Sequence, residues 1–162
     1  MTFEEFAATR MPAVLRFAAV LAGDRAIAED LAQEVLVRAF SRWDKIGCLD
    51  RPEFYVRKMV LNEFLSWRRR SLRQIPVGGA GESAGMAPDP AHAYTERQAL
   101  LAELGKLPRR QRAVLVLRYY EDRDDAEIAE LLGCTAGTVR GYASRALAAL
   151  RVEMGPRPRA HA

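Results

Sequence analysis

The 162-residue chain has the length of one or two small domains, and its 49% apolar residues are enough to build buried cores. Lysine and arginine number 25 against 21 acidic residues, so the formal net charge is +4 and a polyanionic partner is favoured. The two cysteines, Cys48 and Cys134, form no CxxC pair, and neither histidine is placed to complete a zinc site with them. We therefore expect no disulfide framework, no bound metal and no cofactor.

The sequence carries no apolar run of about 18 residues, the length that a membrane-spanning helix needs, so we expect no membrane insertion. It opens with MTFEEF, which is acidic where a signal peptide is basic. These two features predict a protein of the reducing cytoplasm.

Apolar residues recur at steps of three and four through the first part of the chain, which is typical of amphipathic helices. The pattern predicts three helices, over residues 3–22, 26–43 and 52–70. Asp24 is expected to cap the second helix, and Pro52 opens the third at a first-turn position.

Residues 74–93 read QIPVGGAGESAGMAPDPAHA, a Gly-, Pro-, Ala- and Ser-rich composition that is typical of a flexible linker. Helical periodicity returns afterwards, and the sequence shows no alternating strand pattern. We therefore predict an all-α fold of two small helical domains. Their expected bounds are residues 1–73 for the first domain, 74–93 for the linker, 94–155 for the second domain and 156–162 for a tail.

The segment over residues 125–144 fits the helix-turn-helix pattern, in which two short helices cross closely around a tight turn. Gly133 lies at the turn, where a positive φ is easily reached by glycine, and Ala129 is small where the helices cross. The other matching positions are Ile128, Leu132, Cys134, Val139 and Tyr142.

The outward face of the second helix in this motif is polar and small, as in helices that read the major groove of DNA. Arg140 is suited to a bidentate contact with guanine, and the hydroxyl side chains to contacts with phosphates. The alternative is an ordinary helical hairpin with a solvated face. The candidate DNA-binding residues are Thr135, Gly137, Thr138, Arg140, Gly141, Ser144 and Arg145.

A second candidate surface is the helix within residues 51–75, a segment with seven basic and two acidic residues. Basic residues interleaved with aromatic ones suit single-stranded nucleic acid, because cations follow phosphates and rings stack on bases. The alternative places Phe64 and Trp67 in the core, which we favour, and treats the arginine run as a solvated helix end. The candidate residues are Tyr55, Arg57, Lys58, Asn62, Arg68, Arg69 and Arg70.

A third candidate is a polar surface on the second predicted helix. It consists of Asp30, Gln33, Glu34 and Arg38. On the residues alone, such a surface is most simply a solvated helix face.

Three segments in order resemble the bacterial extracytoplasmic-function (group 4) sigma factors, and in particular the actinobacterial SigE-like group. AEDLAQEVLVRAFSRWDKI (28–46) resembles the core-binding helix, and RPEFYVRKMVLNEFLSWRRR (51–70) resembles the segment that melts and reads the −10 element. LPRRQRAVLVLRYYEDRDDAEIAELLGCTAGTVRGYASRALAALR (107–151) resembles the domain that reads the −35 element.

The resemblance implies a role for each surface. Asp30, Gln33 and Glu34 match the signature of the helix that docks on core RNA polymerase. Asn62 matches the family's asparagine near the pocket for a flipped −10 base. The candidate residues of the helix-turn-helix fall in the −35 recognition helix. The implied partners are core RNA polymerase, promoter DNA and an anti-sigma factor, and no catalysis by the chain is expected.

Three interpretations from other functional classes remain open on the sequence. A plain transcriptional regulator would use the helix-turn-helix on an operator and the first block for dimerisation or ligand sensing. A recombinase-like enzyme would need a nucleophilic Ser or Tyr among arginines, and Ser66 or Tyr55 beside Arg57 and Arg68 make no convincing catalytic group. A protein-only interaction role is a third possibility.

Overall fold

The computed structural model describes residues 1–73 and 92–154, with side chains over 1–66 and 96–151. The chain divides into two compact units, Met1–Asp89 (unit 1) and Pro90–Ala162 (unit 2). Every regular element in the described residues is helical, which confirms the predicted all-α fold. The predicted linker falls almost wholly outside the described residues, except that positions 92 and 93 already belong to a helix.

Unit 1 contains five helices in its described residues. They are α1 (Phe3–Thr9), α2 (Met11–Ala22), α3 (Arg25–Ser41), α4 (Trp43–Ile46) and α5 (Pro52–Arg73). The single helix predicted over 3–22 is wrong, because it breaks at Arg10. Pro12 stands in the first turn of α2, where its missing N–H costs no helical hydrogen bond but prevents a continuous helix.

The boundary between α2 and α3 follows the local signals. Gly23 ends α2 with a left-handed backbone (φ 68°), and the side chain of Asp24 accepts a hydrogen bond from the N–H of Ile27. The predicted continuation of α3 to position 43 is wrong: α3 ends at Ser41, and the N–H of Arg42 donates to the carbonyls of Ala39 and Phe40 in a tighter turn.

The core of unit 1 forms where α3 packs against α2 and α5. Burial of large apolar side chains between these helices supplies most of the unit's stability. Phe64 is also buried, so its assignment to the core is confirmed. The largest fully buried side chains of the unit are Phe6, Phe17, Leu21, Leu31, Leu61, Val14, Val35, Val56 and Val60.

An aromatic cluster joins the N-terminus of unit 1 to the end of α3. The ring of Phe3 makes edge contacts with the rings of Phe40 and Trp43, at centroid distances of 5.1 and 5.3 Å. The indole Nε1 of Trp43 donates to the carbonyl of Met1 at 2.9 Å. The cluster therefore fixes α1 beside the C-terminal end of α3.

Unit 2 contains four α-helices and one π-helical turn in its described residues. They are α6 (His92–Lys106), α7 (Arg109–Leu115), the π turn (Val116–Tyr120), α8 (Asp125–Leu132) and α9 (Ala136–Met154). Leu107, Leu115 and Ala146 form a buried cluster, against which leucines of α6 and α9 pack. The helical periodicity predicted for this part of the chain is confirmed.

The π turn has no counterpart in the sequence-based prediction. Its hydrogen bond from the N–H of Glu121 to the carbonyl of Val116 measures 3.1 Å. The turn carries Arg118, whose guanidinium pairs with Asp125 at the start of α8. The hydrogen bond to Asp125 is the main cause that raises the pKa of Arg118 above its usual value, and the pair links the π turn to α8.

Both ends of the first helix of the helix-turn-helix, α8, are capped. The side chain of Asp124 accepts from the N–H of Glu127, whose own side chain accepts from the N–H of Asp124. Gly133 ends α8 with φ 66°. Ile128 and Val139 are fully buried between the helices. In the part of the chain that the structure describes, no helix is long and apolar enough to cross a membrane.

Candidate functional site

The first candidate surface is the outward face of α9. Val139, Ala143 and Ala146 are buried, and their spacing of four and three residues fixes which side of α9 faces the core. The predicted DNA-binding residues lie on the other side, so the structure brings them together on one face. Exposed among them are Thr135, Gly137, Thr138, Arg140, Ser144 and Arg145, whereas Gly141 is half-buried.

Two threonines organise the N-terminal end of this face. The Oγ1 of Thr135 accepts from the N–H of Thr138 at 3.1 Å, the geometry of a helix cap. The two hydroxyls also lie 2.9 Å apart and share a hydrogen bond. The first turn of α9 is thereby capped, and both threonines are exposed beside it.

The two arginines of the candidate face, Arg140 and Arg145, are both exposed and lie on either side of Ser144. The guanidinium of Arg145 stands over the ring of Tyr142, 5.2 Å from the ring centroid. Tyr142 occupies an inward position of the motif but is only half-buried. The exposed part of its ring therefore contacts the guanidinium of Arg145 through a cation–π interaction. Arg140 extends from the same face one turn earlier. The surface therefore offers fixed positive charge and hydroxyl donors to a duplex groove.

The second candidate surface is the outward side of α5. Tyr55, Lys58 and Asn62 follow each other at three and four residues and so lie on one side of the helix. Tyr55 and Asn62 are exposed, and Lys58 is half-buried. The surface combines an aromatic ring, a cation and an amide, which are the groups that hold an unpaired base and its phosphate.

Arg57 does not belong to this surface. Its side chain is 6% exposed and pairs with Glu53 one turn earlier on α5, so it does not lie on the outward side, and its contact with DNA stays a prediction. Leu61 and Phe64, four and seven residues further on, are buried on the same side. That spacing is the sequence signal that places position 57 inward. A basic side chain in an apolar register needs a carboxylate partner, and Glu53 supplies it.

The backbone of α5 continues to Arg73 and includes the run of three arginines. The side chains of Arg68, Arg69 and Arg70, and that of Trp67, lie outside the described residues. Their predicted contact with DNA therefore stays a prediction.

The third candidate surface is the solvent side of α3. Asp30, Gln33 and Glu34 are exposed on one side of the helix. Arg38 is half-buried and differs from the other three: its Nη2 lies 3.2 Å from Oε1 of Glu34 and also pairs with Glu63 of α5. The structure therefore places the four predicted residues together, with Arg38 at the boundary between the surface and α5.

Sequence reasoning left apolar residues out of the α3 surface. Val37 is 70% exposed, between Glu34 and Arg38 on the helix. Phe40 is also largely exposed, although its ring meets that of Phe3. The sequence signal for this feature was available: helical spacing assigns position 37 to the solvent side of α3, yet the residue there is apolar. Exposed apolar groups beside a charged surface are typical of an interface with another protein.

Comparison with known families assigns both units. Residues 6–74 match sigma-70 region 2, and residues 97–150 match sigma-70 region 4. The first match contains the candidate surfaces of α3 and α5. The second contains the helix-turn-helix with the candidate surface of α9.

Sigma factors of other bacteria are similar to this chain over most of its length. The RNA polymerase sigma-E factor of Streptomyces avermitilis is 37% identical over 158 residues, which cover 97% of this chain and 87% of the relative. The ECF RNA polymerase sigma factor SigL of Mycobacterium tuberculosis is 37% identical, with 86% and 83% covered.

Among solved structures, the sigma factor RpoE of Bartonella quintana, determined in complex with the anti-sigma factor NepR, is 25% identical. Its TM-score is 0.77, and the match covers 95% of this chain and 98% of that chain. The family models, the relatives and the fold agree with one another. The chain therefore belongs to the sigma-70 family and, within it, to the extracytoplasmic-function RNA polymerase sigma factors.

Proposed function

We propose that this sigma factor directs promoter-specific initiation through three separate surfaces, one for each macromolecular contact. The polar side of α3 binds core RNA polymerase. The outward side of α5 captures unpaired bases of the −10 element, and the outward face of α9 reads the −35 duplex. The chain itself recognises the promoter and captures the opened strand, and it carries out no catalytic step. It acts in the cytoplasm.

The observation that carries the proposal is the arrangement of α9. Its inward side is fixed by fully buried Val139 and Ala146, and its outward side presents Arg140 and Arg145 from a helix-turn-helix with both caps in place. A helix held in this way keeps its orientation when it enters a groove, so side-chain contacts with bases become specific.

The surface of α5 supports the second part of the proposal. Asn62 presents both a donor and an acceptor to solvent, and Tyr55 lies two turns earlier on the same side. Binding of an extruded base there stabilises the open strand and shifts the melting equilibrium towards the open promoter. The two DNA contacts lie in different units, and joining two weak contacts on one polymerase raises their effective concentration.

An anti-sigma factor is the further partner that we propose. The similar RpoE of Bartonella quintana was solved bound to one. Such a partner would compete with polymerase by covering exposed surfaces of the two units, among them the apolar Val37 and Phe40.

The experiment separates duplex binding from strand opening. Full-length wild-type chain, Arg140→Ala and Asn62→Ala are each assembled with core polymerase on a promoter that the wild-type holoenzyme uses. Fluorescently labelled promoter reports association, and permanganate reactivity of −10 thymines reports opening. Arg140→Ala should weaken association by about 1–3 kcal/mol. Asn62→Ala should leave association near wild type and lower thymine reactivity.

A matched control comes from α6, where Gln98 is exposed and outside the three surfaces. Gln98→Ala should behave as wild type in both measurements. Normal opening by Asn62→Ala would refute the role of α5, and normal association by Arg140→Ala would refute the role of α9.

A further inference from the structure

A buried carboxylate lies behind the α3 surface. The side chain of Glu63 on α5 is only 5% exposed. Val56 and Val60 precede it by seven and three residues, so the apolar register of α5 turns position 63 inward, towards α3. A carboxylate removed from water needs a cation or several donors to remain charged.

Arg38 of α3 supplies that cation. Its Nη2 donates to the carboxylate of Glu63 and lies 3.2 Å from Oε1 of Glu34. One nitrogen thus joins a buried carboxylate of α5 to an exposed carboxylate of α3. The Nε of Arg38 is buried with no hydrogen-bond partner among the described residues. The guanidinium is therefore oriented by the two carboxylates at its Nη2 end.

The buried pair of Arg38 and Glu63 strengthens the exposed pair of Arg38 and Glu34. Two flexible side chains on a helix surface hold each other weakly, because both lose rotamer freedom when they meet. Here the Arg38 side chain is already fixed by Glu63. When Arg38 pairs with Glu34, only the Glu34 side chain loses rotamer freedom. The side chain of Glu34 is still 52% exposed and is reachable from solvent in the orientation that Arg38 favours.

We propose that Glu63 is a positioning residue for polymerase binding: it fixes Arg38, and Arg38 holds the carboxylate of Glu34 in the orientation that polymerase binds. The inference rests on the proposed role of the α3 surface. Glu63 itself is too buried to contact polymerase, and its effect passes through Glu34. Pre-orientation lowers the conformational entropy lost on binding and thereby raises affinity.

The test is a double-mutant cycle on the full chain with purified core polymerase. Affinity is measured for wild type, Glu63→Gln, Glu34→Gln and the double variant. Glu63→Gln keeps the shape and removes the charge, and we expect it to weaken binding by about three- to tenfold. Because Glu63 acts through Glu34, the double variant should bind no more weakly than Glu34→Gln alone.

Glu53→Gln is the matched control. Glu53 lies on the same helix and pairs with Arg57 and Arg10, neither of which belongs to α3. Removing its charge should leave the affinity for polymerase unchanged, even if thermal stability falls. A structural effect common to charge loss on α5 would appear in this variant as well.

The outcomes are separable. If the losses from Glu63→Gln and Glu34→Gln add, Glu63 does not act through Glu34 and the inference is overturned. If Glu34→Gln weakens binding and Glu63→Gln does not, the inference falls and the proposed function stands. If Glu34→Gln itself has no effect, the role of the α3 surface and this inference both fail.

A second variant covers the case in which Glu63→Gln does not fold. Glu63→Met replaces the buried carboxylate by an apolar side chain of similar length and leaves Arg38, which is half-buried, in place beside Glu34. The same cycle against Glu34→Gln should again show no additional loss. Additive losses would overturn the inference.

Discussion

Two glycines on the outward face of α9 yield a prediction in which stability and function change in opposite directions. A Cβ added at Gly137 would have Thr135 Oγ1 and Arg140 Nη2 as its nearest neighbours, at 3.8 and 3.9 Å. A Cβ at Gly141 would come no closer than 3.6 Å to the guanidinium of Arg145. These are ordinary van der Waals distances, so the fold itself does not require glycine at either position.

Replacement by alanine should therefore stabilise unit 2. Glycine in a helix interior is less favourable than alanine by about 0.5–1 kcal/mol. This applies in full to Gly141 and less to Gly137 in the first turn of α9, so the two replacements together should add about 1 kcal/mol. For a domain of this size that corresponds to a rise of about 4–8 °C in its melting temperature. Thermal unfolding of the full chain, followed by circular dichroism, measures the change.

Promoter use should fall at the same time. The two added methyl groups would stand between the helix backbone and the duplex, on the face that carries Arg140. We expect a loss comparable to that of one specific base contact, about 1–3 kcal/mol in association with the −35 element. The assay is transcription by the reconstituted holoenzyme on promoters with an intact and with an altered −35 element, because the loss should be confined to the intact one.

Gly105 of α6 is the matched control, since a Cβ there would meet nothing within 4 Å. Gly105→Ala should not lower promoter use. Wild-type transcription by the α9 double variant would refute the close approach of this face to DNA. A lower melting temperature of that variant would refute the helical packing on which the magnitude is based.

The remaining predictions concern single side chains. Val139→Asp should unfold the helix-turn-helix, because it places a carboxylate at a fully buried position at a cost of several kcal/mol; an unchanged melting profile would contradict the motif assignment. Glu34→Arg should reduce co-purification with core polymerase while helix content stays normal, and undiminished co-purification would remove α3 from the interface. Gly47→Ala should lower the melting temperature of unit 1, because its Cβ would lie 2.7 Å from Nε1 of Trp43; wild-type stability would show that the indole moves without loss.

The helix ends were predictable where one residue decides them. Asp24 and Asp124 cap α3 and α8 as their side chains predict, and Gly133 has the left-handed backbone that the turn needs. These features depend on a few neighbouring residues. The break at Arg10 was less visible, since the apolar spacing continues through it and only Pro12 marks it.

Pairing between helices was harder to predict. Arg57 and Lys58 are adjacent basic residues, yet the first pairs inward with Glu53 and the second stays on the outward side of α5. The positions of buried Leu61 and Phe64 contain that information in their spacing. The choice of Arg38 as the partner of Glu63 does not follow from spacing, because it depends on how α3 and α5 pack.

The π turn is a further feature that local patterns do not specify. The apolar residues over 113–117 are all buried and suit a regular helix as well as a π turn. The π turn carries Arg118, which pairs with Asp125 on the next helix. This pairing is a tertiary contact that the local sequence pattern does not specify. Composition and spacing thus predict the candidate surfaces, whereas the contacts that position their side chains require the packed structure.

The most direct test of the central claim is run-off transcription by purified core polymerase, with and without the full chain, on a library of genomic fragments. We expect new start sites that depend on the chain and share two upstream elements, one read as duplex and one as an opened strand. The contradicting result is an absence of chain-dependent start sites together with tight binding of the chain alone to duplex DNA.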